Sequence, residues 1–265
     1  MAQDMTTQSQ RRLTVSINDG PRPFSASKIA AVIREMGWRS ALLGSLLFAS
    51  EFLRSWWWDR LHNVTTRHPI PLSKLDLVGP SSSHAVFYQA TGTKFLPSLL
   101  RRLDIQYSHF SFVDIGAGKG KMMLLAAEFP FRRIVGVELS RSLSDLAQRN
   151  CKSFRSKKKA CGNFEVLCRD AAEFTFPNGP LVIYMFNPFD DVVLAQMLSK
   201  LASAIRQQAC QIFLIYNNPL HRNVVCSSGP FERVLQGTDK WDYRKLRYEV
   251  YRSRIEENPQ SQKQQ

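Results

Sequence analysis

The chain has 265 residues, 44% of them hydrophobic and 22% charged, and carries a formal net charge of +14. That length holds one substantial domain plus an extension, and the mix of apolar and charged residues excludes a fibrous or wholly disordered chain. The cationic excess attracts nucleic acid, anionic lipid and acidic protein alike, without choosing among them.

The first residues, "MAQDMTTQSQRRLTVSINDG", are polar and lack the apolar core of a secretory signal. The spacing predicts a flexible lead over 1–27, followed by a helical arm and linker over 28–75. Within the arm, "SALLGSLLFAS" is the longest uncharged run. It is shorter than the roughly 20 apolar residues a membrane-spanning helix needs. Trp56, Trp57 and Trp58 cannot all face one side of a helix. An arm packed on the main domain or on a second subunit is the favoured reading. Peripheral membrane contact through residues 28–61 is the weaker alternative. "RHPIPLSKLDLVGPSSSHA", with Pro69, Pro71 and Pro80, reads as a linker. The main domain then covers 76–255, and a polar, disordered tail 256–265.

From "SFVDI" onward, apolar strands alternate with helical patterns. Strands are predicted at 111–115, 132–139, 164–170, 180–186 and 210–218, and helices at 119–129, 140–155 and 190–207. This alternation means a parallel sheet covered on both faces. Two last strands, "FERVLQG" and "RYEVYRS", have only a loop between them, so the sheet ends antiparallel.

"FVDIGAGKGK" joins the first strand to its helix. A phosphate loop requires G-x-x-x-x-G-K-[ST]. Here Val113 stands at the first glycine's place and no hydroxyl follows Lys119. A dinucleotide fingerprint requires G-x-G-x-x-G, whereas Gly116, Gly118 and Gly120 give G-x-G-x-G. Asp114, two residues before the first glycine, would repel a pyrophosphate but accept hydrogen bonds from an ammonium or hydroxyl. The ligand so described is a nucleoside bearing a cationic amino acid, of which S-adenosylmethionine is one. Glu138 ends the second strand, where a carboxylate can take ribose hydroxyls by the logic of dinucleotide folds. Asp170 ends the third, where it can take an adenine amino group. Read blandly, both acids are helix-capping or loop residues.

These motifs, "FVDIGAGKG", "VGVELS" and "CRDAAEF", resemble those of the class I S-adenosylmethionine-dependent methyltransferases over about residues 85–253. The resemblance implies an α/β fold: a Rossmann-like seven-stranded sheet of order 3-2-1-4-5-7-6, strand seven antiparallel, here with an N-terminal helical extension. It implies S-adenosyl-L-methionine as cofactor, held by Asp114, Gly116, Gly118, Gly120, Glu138 and Asp170. "FYQATGTKF" and "YMFNPFDD" are similar to a bacterial subgroup of unassigned substrate. That likeness adds Tyr88 and Thr91 beside the cofactor, although Ala90 replaces the subgroup's proline.

At the fourth strand's end, Asn187, Pro188 and Phe189 are the candidate catalytic residues. "NPF" has one proline fewer than the [DNS]-P-P-[YFW] motif of enzymes that methylate amide or exocyclic nitrogens, and Asn187 is also a natural turn-former. His221 is a candidate base, although a lone loop histidine is more often structural. Two basic stretches stand out, "CKSFRSKKKACG" and "KWDYRKLRYEVYRSR", and the second interleaves aromatic residues as single-strand binders do.

The five cysteines are odd in number and form no C-x-x-C pair, so neither a disulfide framework nor a zinc site is expected. A reducing cytoplasm is their expected home. The expected activity is methyl transfer to a nitrogen or oxygen of a protein side chain or small molecule. A nucleic-acid base is the alternative acceptor. Outside catalysis, a binding module that retains the fold is a further alternative, and a dehydrogenase is disfavoured by the glycine spacing.

Overall fold

The computed structural model describes residues 38–67, 70, 75–84, 92–242 and 244–254. Five strands run parallel: β1 (Ser111–Ile115), β2 (Arg133–Glu138), β3 (Phe164–Cys168), β4 (Leu181–Phe186) and β5 (Ile212–Asn217). β6 (Phe231–Thr238) and β7 (Arg247–Ser253) complete the order β3-β2-β1-β4-β5-β7-β6. Only the pairings of β7, with β5 and with β6, are antiparallel.

β1 is buried along its whole length, as expected of a strand covered on both faces. Successive side chains then serve two separate cores. Phe112, Val182, Tyr184, Ile215 and Val250 face one layer, which includes α2 (Phe95–Leu100) and α3 (Lys121–Ala126). Val113, Ile183 and Leu214 face the other, with Val193, Met197 and Leu201 of α5 (Asp191–Gln208). By this alternation Asp114 and Phe186 stand on the first face.

α1 (Trp38–His62) lies on that first face too, where Trp58 packs against the core cluster. Its inner side is fixed by polar contacts as well. Asp59 is buried and accepts from Thr66 Oγ1 at 2.6 Å, from the Thr66 N–H at 2.8 Å and from the Arg67 N–H at 3.1 Å. α4 (Arg141–Ser153) starts from Ser140, whose hydroxyl accepts from the Leu143 N–H as an N-cap. Asp190 caps α5 in the same way, toward Val192 and Val193. A short α6 (Arg222–Ser227) follows β5.

The strands lie within two residues of their expected bounds. Expected helix 119–129 is shorter in the structure, Lys121–Ala126, because the left-handed Gly120 precedes it and the chain turns again after Ala127. α2 and α6 are additions: each is six residues long, too short for a helical period to show in sequence. Part of the proline-bearing segment closes onto the sheet. Leu77 bridges Ser140, the Val78 N–H donates to the Leu139 carbonyl, and the Ser81 N–H donates to Asp170.

Candidate functional site at the carboxyl edge of the sheet

Ligands of parallel sheets lie beyond the carboxyl ends of the strands, where the strand order reverses. In this sheet that place lies between the tips of β1 and β4, which pair through Asp114 and Tyr184. All three glycines of the connection have positive φ: 75° at Gly116, 55° at Gly118 and 81° at Gly120. Gly116 has a second reason to be glycine, since a Cβ there would lie 2.8 Å from Pro188 Cβ. The bend therefore touches the "NPF" turn directly.

Asp114 is 1% exposed, and its Oδ2 makes no hydrogen bond. Burial, and then the neighbouring Glu138, push its carboxyl well above the usual carboxylate range. A buried acceptor left without a donor is costly, typically about 1–3 kcal/mol. A ligand ammonium would satisfy it and draw it back to the ionised form. Glu138 is already engaged: Oε2 accepts from the Gly118 N–H at 2.7 Å and Oε1 from the Ser140 N–H at 2.8 Å. Burial raises its pKa, opposed by these backbone donors. A carboxylate offers about four lone-pair positions, so ribose hydroxyls still have places to bind. The donor set suits an aminoacyl nucleoside, with an unpaired aspartate for the ammonium and a side-chain-free bend for its body.

Asp170 is buried and holds the chain crossing above β2 and β3. Its Oδ2 accepts from the Ser81 N–H and its Oδ1 from the Ala172 N–H, both at 2.9 Å. Tyr88 and Thr91 lie outside the described residues.

At the tip of β4, Asn187 has φ 37° and is 6% exposed. Its Oδ1 accepts a hydrogen bond from the Tyr216 hydroxyl at 2.8 Å. Burial holds the Tyr216 phenol up at about 12, so it stays a proton donor at neutral pH. The His221 backbone N–H, not its ring, lies 3.4 Å from the same hydroxyl. Phe189 is buried in the core layer formed with α5, which directs it away from the first face. The aromatic ring that β4 gives to the first face at its tip is Phe186, with the Arg244 guanidinium 5.7 Å above it and Arg244 itself paired to Asp242. The β6–β7 loop therefore reaches over the end of β4.

Sequence reasoning missed three further groups. Asn217, at the tip of β5, is fully buried; its Nδ2 donates to the Tyr184 hydroxyl at 3.3 Å and its Oδ1 makes no hydrogen bond. Lys119 and Lys121, flanking Gly120, are both buried. Lys119 Nζ donates to the Arg67 carbonyl at 2.9 Å. Lys121 Nζ donates to Ser55 Oγ, and burial lowers its pKa to about 8. An acid or amide at the last position of a strand signals a tip group, which was the available clue to Asn217. Neither lysine had such a signal, since its partner lies more than 50 residues away. Among the described residues no cluster of three His, Cys, Asp or Glu side chains is placed to hold a metal ion.

Residues 78–174 match the family model described as "Histone methylation protein DOT1". No curated protein matches the chain. Solved structures similar to it include the glycopeptide N-methyltransferase MtfA with S-adenosylmethionine bound, 12% identical, with TM-score 0.47 over 63% of this chain and 96% of that one. The 23S rRNA methyltransferase ErmE is 13% identical, with TM-score 0.44 over 65% and 71%. The ribosomal protein L11 methylase from Lactobacillus delbrueckii subsp. bulgaricus is 12% identical, with TM-score 0.45 over 71% and 100%. The matched family segment runs from the residues crossing above β2 through the glycine bend to the acid after β3. A sheet of this order, with β7 alone reversed, is the Rossmann-like methyltransferase fold, and the matched segment supports S-adenosylmethionine-dependent methyl transfer on it.

Proposed function

We propose that this methyltransferase modifies a nitrogen or oxygen on a protein side chain or small molecule, with a protein acceptor favoured. The observation that carries the reading is the unpaired Asp114 Oδ2, buried beside the side-chain-free bend. In the proposed arrangement Asp114 holds the donor's ammonium, Glu138 its ribose hydroxyls, and Gly116, Gly118 and Gly120 leave room for its body. Asp170 lines the adenine side while fixing the 79–81 chain over it. When bound, the donor supplies an electrophilic methyl group on a sulfonium.

The remaining work is alignment, because in-line transfer depends mainly on holding both partners at near contact distance. Asn187 is held by Tyr216 at the tip of β4, next to the bend, so its amide is fixed relative to the donor. Asn217 Oδ1, unpaired on the same face as Asp114, supports an acceptor that brings an N–H donor. The matched family's description, histone methylation, supports a protein side chain.

A second reading rests on the β6–β7 loop, where Lys240 lies 4.9 Å over Trp241 and Arg244 covers Phe186. Charge interleaved with aromatic rings suits a nucleic-acid strand. Transfer of a tritiated methyl group into fractionated cell extract separates the readings: label in protein supports the first and label in RNA or DNA the second. Heat of donor binding without any labelled product would leave a binding module instead.

A further inference from the structure

Among the described residues, most of the large apolar side chains that are exposed belong to one helix. On α1, Trp38, Leu42, Leu46, Leu53, Trp57 and Leu61 are between 54% and 70% exposed. Their spacing of four, four, seven, four and four places them within an arc of about 140°, a continuous stripe along all 25 residues. Over the carboxyl-terminal half of the helix the opposite side is committed to the protein: Ser55 meets Lys121, Asp59 binds the Thr66–Arg67 backbone, and the Trp58 ring lies 6.1 Å from Phe154. Nearer the amino end, Phe48 and Phe52, 50% and 45% exposed, extend the apolar surface beyond the arc. The stripe is thus held outward by a fixed inner face.

The charges around it have one sign. The helix's two carboxylates lie off the stripe, Asp59 buried and Glu51 paired with Arg54. Arg60, exposed and stacked 5.8 Å from the Trp56 ring, lies within the stripe's arc. At the carboxyl end of α1 the fold brings in the basic stretch after α4. The Arg155 N–H donates to the His62 carbonyl at 3.1 Å, and the His62 ring stacks on Phe154 at 5.5 Å. Lys152, Arg155, Lys157, Lys158 and Lys159 are all exposed there. These clusters are about 90 residues apart in sequence and adjacent in space.

We propose that this face seats α1 on the surface of an anionic lipid bilayer, lying in the plane of the interface. Interfacial tryptophans and leucines enter the headgroup–acyl boundary, and the adjacent cations neutralise acidic headgroups. Either signal alone gives marginal binding, and the two together give stable attachment. No helix among the described residues is long and apolar enough to cross a membrane, so the contact is peripheral.

The test is flotation of the full chain with vesicles of phosphatidylcholine alone or with about 30% phosphatidylserine. The expected result is binding to the anionic vesicles, weakened by salt, with a blue shift of tryptophan fluorescence. Leu46→Ser with Leu53→Ser and Trp57→Ser should lower the bound-to-free ratio at least about ten-fold. Lys157→Glu with Lys158→Glu should do likewise on anionic vesicles. Binding no better than to neutral vesicles overturns the proposal. So does a concentration-dependent dimer, seen by sedimentation velocity, that the apolar triple abolishes. Should that triple fail to fold, the charge-reversal pair decides: unchanged flotation overturns the proposal.

Discussion

At the tips of β1 and β2 the buried polar groups are carboxylates, whereas at the tips of β4 and β5 they are amides and phenols. Asp114 and Glu138 press two acids together out of water, and Asp114 keeps an oxygen unpaired. Asn187, Tyr216, Asn217 and Tyr184 instead satisfy one another across β4 and β5, leaving one neutral carbonyl over. The first arrangement calls for either a retained proton or a bound cation; the second can hold a neutral, planar, hydrogen-bonding group. In the proposed arrangement, charge divides the carboxyl edge into a donor half and an acceptor half.

The strongest challenge to that division is Asp114→Asn. Donor affinity measured by calorimetry should fall about 100-fold, or about 3 kcal/mol, with the fold intact. Unchanged affinity would mean that charge does not define the donor half. The pH dependence follows from the raised carboxyl. The folded state keeps a proton that the unfolded chain releases, so stability without ligand falls as pH rises from the ordinary value of 3.8 toward the raised one. Over the same window donor affinity rises, because the ammonium needs the ionised form. The Asn variant should flatten both slopes.

Gly116→Ala tests whether the halves touch through the bend. The methyl would sit at φ 75° and 2.8 Å from Pro188 Cβ, and stability should fall by about 2–3 kcal/mol in urea titration. Lys121→Met removes the buried cation beneath the donor half. Its pKa near 8, against 10.5 in the unfolded chain, means that the charged form is disfavoured by folding at neutral pH. The variant should be more stable by about 1–3 kcal/mol at pH 7, with the gain shrinking as pH rises through about 8 and gone above about 10. Tyr216→Phe, the mildest, acts on the acceptor half alone. It should lower kcat about ten-fold, or about 1.4 kcal/mol, and leave donor affinity unchanged.

The donor half was the more legible in sequence because its signals are local. Asp114, the three glycines and Glu138 occupy strand ends and a bend whose positions follow from apolar periodicity. The acceptor half depends on which strands become neighbours. Tyr216 reaches Asn187 because β5 lies beside β4, and Arg244 reaches Phe186 because β7 inserts between β5 and β6. With one proline fewer than the related motif, "NPF" leaves open where its aromatic points. In the fold Phe189 fills the α5 core, and alternation along β4 gives the open face to Phe186. Asp170 was read from its strand end, but its bond to Ser81 spans 89 residues and left no local trace.

The two lysines around Gly120 bear on how this protein can be shortened. Each reaches away from the glycine turn to grip the N-terminal helix or the chain just after it. Asn150 adds a third clasp, joining Thr65 to the Lys119 carbonyl through both of its Nδ2 hydrogens. Trimming at the proline-rich junction near residue 75 would strand two ammonium groups against oily surface and fray the methyl-donor turn they flank. A cut before Trp38 keeps every one of these clasps.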